Sequence, residues 1–174
     1  MSANETQPRI GREVYIAPTA YVGGDVFLGE RCTVMHHVVI RGDIAPIRIG
    51  ARVNIQDGSI VHTPSGTPLD IGDDVGVGHR AVVHGRRVGS RTLIGIGAIV
   101  LDDCDVGSRC IIAAGTLLPP KTIVPDGTVM MGVPGKAVRR TNDDDLRLID
   151  HVVSSYIELG RRHAAGAFPS FTTG

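Results

Sequence analysis

The chain has 174 residues, enough for a single domain with a hydrophobic core. Its 18 basic and 18 acidic side chains are balanced, which argues against a nucleic-acid partner and against a polybasic membrane anchor. No apolar run approaches the ~20 residues of a membrane helix, so we expect no membrane partner either.

Residues 1–11, MSANETQPRIG, are polar and lack the apolar stretch of a signal peptide. Three cysteines, Cys32, Cys104 and Cys110, form no paired framework and indicate a reducing compartment. We therefore expect a cytoplasmic protein. Aromatic residues make up only 3% of the chain, whereas glycine occurs 23 times. This composition argues against an aromatic-rich core and calls for a search for repeats.

Small aliphatic residues recur every six positions from residue 10 to residue 130. The spacing widens twice, to nine residues after Ile40 and to ten after Val61, and it slips by one after Val83. The series runs Ile10, Ile16, Val22, Leu28, Val34, Ile40; Ile49, Ile55, Val61; Ile71, Val77, Val83; and Val88, Ile94, Val100, Val106, Ile112, Leu118, Val124, Met130.

A period of six predicts a hexapeptide β-helix, in which three short strands and turns form one triangular coil of about 18 residues. The small aliphatic residues point into the prism, and neighbouring coils pair as parallel strands ~4.8 Å apart. Glycine often follows the aliphatic residue, and we expect it at tight corners with positive φ. The predicted fold is mainly β, a left-handed parallel β-helix over about 10–133. Its hand is known for this architecture and does not follow from the spacing.

The period stops after Pro134, and residues 142–165 have the pattern of a C-terminal α-helix. Asp143, Asp144 and Asp145 favour its N-terminal end, and two arginines, at 161 and 162, favour its C-terminal end. The apolar stripe of this helix comprises Leu146, Ile149, Val153, Tyr156 and Ile157. We expect the helix to cover one face of the prism or of a neighbour, within one domain of residues 1–174.

Two histidines are predicted to stack on adjacent coils. His62 and His84 directly follow repeat positions and are 22 residues apart; removing the four inserted residues of HTPSGTPLD leaves 18, one full coil. The same arithmetic places Arg41, 21 residues before His62 with three inserted residues, in this column of stacked positions. The pair is close enough to share one metal ion.

A third histidine, His79, belongs to a different column, together with Asp57 and His36. Zinc–nitrogen bonds are only ~2.0–2.1 Å long, so imidazoles from two sides of one prism cannot converge on one ion. A homotrimer removes the difficulty, because His79 of one chain can face the His62–His84 pair of the next. Ordinary outward-facing polar histidines are the alternative that spacing alone leaves open.

The strings VVIRGDIAPIRIG, VNIQDGSIVHT, IGDDVGVGHRAVVHG, VGSRTLIGIGAIVLDD and GVPGKAVRR closely resemble the γ-class carbonic anhydrase-like hexapeptide proteins. The resemblance covers residues 10–140 almost continuously. It implies homotrimers with metal ions at the subunit interfaces, held by His62 and His84 of one chain and His79 of its neighbour. The metal is expected to be Zn²⁺, with Fe²⁺ or Co²⁺ equally suited to imidazole.

The resemblance also implies roles for residues around the metal. Arg41 matches an arginine that bridges subunits and pairs with acidic residues such as Asp43 and Asp57. Gln56 matches a glutamine that hydrogen-bonds the metal-bound water. Asn54 belongs to the same string and is expected to line the pocket. On the C-terminal helix, Tyr156 resembles a tyrosine near the site, with a core role as the alternative.

This resemblance implies reversible hydration of carbon dioxide to bicarbonate by a metal-bound hydroxide. The chain departs from active members where proton transfer is concerned. Ile44 stands where they carry a glutamate after RGD, and their long acidic loop is replaced by HTPSGTPLD, whose one acid is Asp70. His36 is a candidate relay or a solvated side chain. Arg80 is expected to form an interface salt bridge or to attract bicarbonate.

Three other functions stay open. A hexapeptide acyltransferase that uses acyl-CoA would share the prism but depend on one catalytic histidine, usually in an extended loop that this chain lacks. A thioesterase could use the same metal-bound hydroxide. A non-catalytic trimeric scaffold would use the ion as a structural staple, which the short loop and the missing glutamate favour.

Overall fold

Residues 6–169, which the computed structural model describes, wind into a parallel β-solenoid of about seven turns followed by one helix. The predicted hexapeptide β-helix is therefore confirmed. The interpretation of the N-terminus as free of a signal peptide falls partly on residues 1–5, which lie outside the described residues. In chain order the strands are β1 (Arg9–Ile10), β2 (Tyr15–Ile16), β3 (Tyr21–Leu28), β4 (Thr33–Val34), β5 (Val39–Ile49), β6 (Asn54–Ile55), β7 (Ile60–His62), β8 (Leu69–Ile71), β9 (Gly76–Val77), β10 (Val82–Val83), β11 (Arg87–Val88), β12 (Leu93–Ile94), β13 (Ile99–Val100), β14 (Asp105–Val106), β15 (Ile111–Ile112), β16 (Leu117–Leu118), β17 (Ile123–Val124), β18 (Thr128–Met131) and β19 (Lys136–Arg140).

Parallel pairing between consecutive coils stacks these strands into three faces. Face 1 contains the N-terminal parts of β3 and β5, then β7, β10, β13 and β16. Face 2 contains β1, the C-terminal parts of β3 and β5, then β8, β11, β14 and β17. Face 3 contains β2, β4, β6, β9, β12, β15 and β18, with β19 added antiparallel, a strand that the periodicity did not predict.

The aliphatic repeat forms the core of the prism. From Leu28 to Met130 every repeat position is buried, whereas Ile10, in the first coil, is 44% exposed. The predicted insertions also lie outside the ladder, because Ile40 pairs with Val61 and Ile49 pairs with Ile71. Inserted residues can only bulge outward, since the interior is already filled by the repeat residues and by other buried side chains such as Val38 and Val53.

Glycines at several corners have positive φ as expected, for example Gly58 (72°) and Gly115 (68°), but the glycines directly after a repeat residue do not. Corner positions with φ of 55–64° are mostly occupied by other residues, such as Arg52 and Arg80. The glycines that follow a repeat residue are needed because the backbone of the next coil lies too close to allow a Cβ atom at these positions. A Cβ on Gly29 would lie 2.4 Å from the carbonyl oxygen of Gly50, and one on Gly89 would lie 2.5 Å from the backbone nitrogen of Ser108.

Replacement of Gly89 by alanine should destabilise the protein by roughly 3 kcal/mol, because the neighbouring backbone must move. Gly66 is the control: its Cβ would meet nothing within 4 Å, although its φ is +76°. Gly66→Ala should therefore cost only about 1 kcal/mol, the strain of the left-handed conformation. Urea unfolding curves of both variants test this account, and equal losses would contradict it.

The three faces differ in the side chains that point away from the core. On face 1 these side chains are apolar: Tyr21, Val39, Ile60, Val82, Ile99 and Leu117. On face 2 they are largely charged, as in the ion pairs of Arg48 with Asp25 (2.8 Å) and Arg87 with Asp105 (3.1 Å). Face 3 lies beneath the C-terminal helix. Face 1 is thus the one face with an apolar surface that nothing in residues 6–169 covers.

Helix α1 (Asp143–Ala164) confirms the predicted helix and packs along face 3 on β2, β4, β6 and β9. Ile149 and Val153 of the predicted stripe are buried. The hydroxyl of Thr33 donates to the backbone carbonyl of Tyr156 at 2.9 Å, which fixes the helix along the face. Within residues 6–169, no helix is long and apolar enough to cross a membrane.

A capping box starts α1. The Asn142 side chain accepts from the backbone N–H of Asp145, and the Asp145 carboxylate accepts from the backbone N–H of Asn142. The guanidinium of Arg139, on β19, also donates to Asp145 at 2.9 Å. These hydrogen bonds hold the pKa of Asp145 below its ordinary value, with Arg139 as the main cause.

Asp145→Ala should lower the free energy of unfolding by about 1–2 kcal/mol at pH 7. Asp144→Ala is the matched control. Asp144 is exposed, so this substitution should lower the free energy of unfolding by less than about 0.5 kcal/mol. The Asp145 contribution is present above the unfolded-state pKa of about 3.9 and is lost as pH falls through the lower native pKa. Urea titrations of the wild type and of Asp145→Ala at several pH values measure this contribution. A stability difference between them that grows toward acid pH would refute the role of the Asp145 carboxylate.

Candidate metal site

His62 and His84 stack at the edge between faces 1 and 2, as the spacing predicts. His62 ends β7 and His84 follows β10, and these two strands are neighbours. The Nδ1 atom of His62 lies 3.0 Å from Nε2 of His84, and the ring centroids are 5.1 Å apart. Arg41 pairs with His62 in the parallel ladder, so the predicted column of Arg41, His62 and His84 is confirmed.

Each histidine of this pair has a carboxylate at its outer side. Asp43 lies 3.3 Å from Nε2 of His62 and accepts a hydrogen bond of 2.6 Å from Arg41. Asp102 accepts a hydrogen bond of 2.6 Å from Nδ1 of His84. The sequence reasoning missed Asp102, although it follows His84 by 18 residues, one uninterrupted coil.

His79 lies at the opposite edge of face 1, where face 3 ends. Its Nδ1 lies 3.1 Å from the carboxylate of Asp57, and the hydroxyl of Tyr156 lies 3.3 Å from its Nε2. Backbone hydrogen bonds from Gly58 to His36 and from Arg80 to Asp57 confirm the predicted column of His36, Asp57 and His79. Tyr156 is therefore beside a predicted ligand.

The structure keeps His79 apart from the other two histidines, as the spacing argument requires for one chain. In the part of the chain from residue 6 to residue 169, no three His, Cys, Asp or Glu side chains are close enough to hold an ion. Of the two acidic partners expected for Arg41, only Asp43 is supplied within the chain. Asp57 contacts His79 instead, because it belongs to the other column.

Asn54 and Gln56 form a buried polar pair on and just after β6. The Nε2 atom of Gln56 donates to Oδ1 of Asn54 at 3.0 Å, and both residues are at most 6% exposed. The Nδ2 atom of Asn54 has no hydrogen-bond partner among the described residues. Gln56 immediately precedes Asp57, so this pair belongs to the same edge as His79.

Burial lowers the pKa of His62, and the positive charge of Arg41 adds to this shift. Desolvation opposes the ionised form of Asp43, but the hydrogen bond and the positive charge of Arg41 outweigh it and lower the pKa of Asp43. Burial, with the charge of Asp57, raises the pKa of Tyr156. The phenol therefore stays protonated, and its O–H donates a hydrogen bond to Nε2 of His79.

The donor set fits a cation. Asp102 holds the proton of His84 on Nδ1, so Nε2 of His84 accepts from Nδ1–H of His62. A neutral His62 then presents a lone pair to Asp43. Replacing the shared proton by a cation lets His62 carry its proton on Nε2, where it donates to Asp43. Two nitrogens on one tetrahedral zinc are ~3.3 Å apart, close to the observed 3.0 Å.

The proposed proton carriers are placed less favourably. Asp70 lies on face 2 in register with Arg48, away from the histidine pair. Ile44 is 51% exposed beside Asp43. The Nδ1 atom of His36 lies 2.9 Å from the hydroxyl of Thr19. Neither position 44 nor Asp70 thus places a carboxylate beside the histidine pair.

Comparisons with known proteins show which proteins the chain is similar to. A family model described as dynactin subunit 5 matches residues 11–160. The chain is 36% identical over 171 residues to gamma carbonic anhydrase 1, mitochondrial, of Arabidopsis thaliana, covering 95% of this chain but only 62% of that relative. It is 41% identical over 158 residues to a carbonic anhydrase of Geobacillus kaustophilus, covering 91% and 87%. A crystal structure of a hexapeptide transferase family protein from Anaplasma phagocytophilum is 32% identical with a TM-score of 0.84, covering 88% and 91%.

Proposed function

The chain belongs to the γ-class carbonic anhydrase family, and on that premise we propose that it reversibly hydrates carbon dioxide to bicarbonate at a metal centre between subunits of a homotrimer. One observation carries the proposal. Two carboxylate-backed imidazoles lie at one edge of the uncovered apolar face 1, and a third lies at its other edge.

The trimer is supported by this division of the ligands between two edges. Face 1 presents an apolar column along the whole prism, including Ile60, which is 43% exposed, and Tyr21, which is 56% exposed. Burying such a column between copies is favourable. Three-fold packing brings the His79 edge of one copy to the His62–His84 edge of the next.

In this proposal His62, His84 and the neighbour's His79 hold a divalent ion, with Zn²⁺, Fe²⁺ and Co²⁺ as the candidates. When bound, such an ion makes hydroxide available near neutral pH by lowering the pKa of water. The chain's own residues orient this chemistry. Gln56, held by Asn54, offers its remaining amide groups to the reacting oxygen. Arg41 positions Asp43 and so fixes the His62 ring.

Tyr156 has a second role in the proposed site. Its hydroxyl lies 3.3 Å from Nε2 of His79, which is the nitrogen left for a metal once Asp57 holds Nδ1–H. The phenol therefore borders the place where carbon dioxide must enter. Its apolar ring excludes water on that side, and its hydroxyl offers one hydrogen bond to the substrate or product.

The alternatives keep specific support. The relative from Anaplasma is named a hexapeptide transferase family protein, which favours group transfer, such as acyl transfer from acyl-CoA, on the same prism. A scaffold with a structural ion is favoured by the absence of a carboxylate at Ile44. Metal analysis separates acyl transfer from the others, because a general-base histidine needs no ion.

We also place the protein in the cytoplasm, since all three cysteines are free and buried, which suits a reducing compartment. The Arabidopsis relatives, which carry the word mitochondrial in their names, are longer than this chain. Fractionation of cells that express the native gene checks this location.

Mixed trimers test whether the ligands come from different chains. Homotrimers of His79→Ala or of His84→Ala should each lose nearly all metal, because only two imidazoles remain at every site. Co-expression should restore metal at one interface in every mixed trimer, where an intact pair meets an intact His79. His151→Ala, exposed on α1, is the control and should keep one ion per chain.

Mass spectrometry of the native assemblies and metal analysis give the two readouts. A fully metallated monomer, or mixed trimers that remain empty, would contradict the intersubunit site. The prism should survive all of these substitutions, because its core is aliphatic and distant from the imidazoles.

Proton transfer should limit turnover. Because Ile44 replaces an acid and Asp70 faces away, hydration should be slow in dilute buffer and rise about tenfold or more with added imidazole. Ile44→Glu should raise the rate in dilute buffer, with Ile44→Gln as the uncharged control. Stopped-flow carbon dioxide hydration measures both effects. His36→Ala tests the competing relay, and a fast, buffer-independent rate in all variants would overturn this account.

A further inference from the structure

We propose that Asp102 is the positioning residue of the metal site: it fixes the tautomer and ring orientation of His84, so that Nε2 is presented to the ion before the ion arrives. The inference rests on the proposed function and adds a residue to it. It concerns the chain's own geometry and is therefore measurable in the metal-free protein.

The hydrogen bond from His84 to Asp102 is the shortest among the contacts between the three histidines and their carboxylates. It measures 2.6 Å, against 3.1 Å for His79 with Asp57 and 3.3 Å for His62 with Asp43. Charge-assisted hydrogen bonds are strongest when short, so His84 is the imidazole most firmly held by its carboxylate.

Asp102 is less shared with cations than Asp43 is, and in this it resembles Asp57. Asp43 is shared with Arg41, whose guanidinium donates to it at 2.6 Å. This ion pair weakens the electrostatic interaction of Asp43 with His62. None of the ion pairs found in residues 6–169 joins Asp102 to an arginine or a lysine. No ion pair within the described residues therefore competes for the Asp102 carboxylate that accepts from Nδ1–H of His84.

The position of Asp102 in the fold keeps this contact fixed. Val83 and Val100 are paired in the parallel ladder between β10 and β13, and Asp102 follows Val100 by two residues. The backbone N–H of His84 donates to the carbonyl of Val100 at 2.8 Å. His84 is thus anchored to the next coil by both its backbone and its ring.

The chemical consequence is a pre-oriented ligand. With the proton held on Nδ1, the lone pair of Nε2 faces His62, whose Nδ1 is 3.0 Å away. Carboxylate partners of this kind fix the tautomer of a metal-ligating histidine and raise its basicity, and their loss typically costs about 10–100-fold in metal affinity.

The test compares two neighbouring acids. Asp102→Asn should weaken zinc binding by the metal-free trimer about 10–100-fold, measured by competition with a chromophoric chelator. Asp103→Asn removes the same charge from the next residue, whose φ of 58° asparagine also adopts, and should leave zinc affinity unchanged. Equal effects of the two substitutions would mean that only net charge matters and would overturn the proposal.

Two further measurements separate orientation from folding. Two-bond ¹H–¹⁵N spectra of the metal-free wild type should show His84 with its proton on Nδ1, and Asp102→Ala should populate the other tautomer at an unchanged circular dichroism spectrum. Asp102→Glu should recover part of the zinc affinity. A wild-type His84 protonated on Nε2 would refute the role of Asp102. Failure of the wild type to bind Zn²⁺, Fe²⁺ or Co²⁺, with the tautomers as expected, would instead refute the proposed function.

Discussion

The close stacking of consecutive coils is the constraint on which the rest of this structure depends. Parallel strands bring each coil against the next, so close that a Cβ on Gly29 or Gly89 would collide with backbone atoms. The prism is correspondingly narrow, and its interior is filled by small side chains from the strands and from the corners between them. Because the interior is filled, extra residues must leave the ladder, and every outward position repeats in a straight column. Columns, rather than local sequence motifs, therefore decide which side chains meet.

The columns give the three faces different chemistry on one scaffold. Alternation along a two-residue strand places one side chain inside and its neighbour outside. Aliphatic outward residues on face 1 leave a surface for another copy, whereas the arginine–aspartate pairs of face 2, such as Arg48 with Asp25, suit water. Face 3 carries small residues, including Gly76 and Thr33, which let α1 approach closely. The histidines lie at both edges of face 1.

Most of the fold and half of the site geometry could be predicted from the sequence, because a six-residue period converts spacing into contact. Counting by 18 placed Arg41, His62 and His84 in one column and would have found Asp102, had it been continued by one coil. The contact of Tyr156 with His79 could not be predicted from the spacing, since it depends on how α1 lies on face 3; only the family resemblance indicated a tyrosine near the site. The role of the glycines was misread because backbone preference is a local property, whereas the collision involves the next coil. The roles of the metal ligands stay predictions.

The apolar face and the histidines would contribute different things to the proposed trimer. An aliphatic column is nearly identical at every coil, and hydrophobic contact is non-directional. Burial of face 1 alone would therefore stabilise several alignments of the two subunits, shifted by one or more coils, almost equally. Directional polar groups select among such offsets, as single polar residues do in coiled coils. His62, His84 and His79 occur on only two neighbouring coils, and a shift by one coil would bring Ile96 or Asp57 to the position of His79. The same imidazoles that hold the ion would thus set the register between subunits.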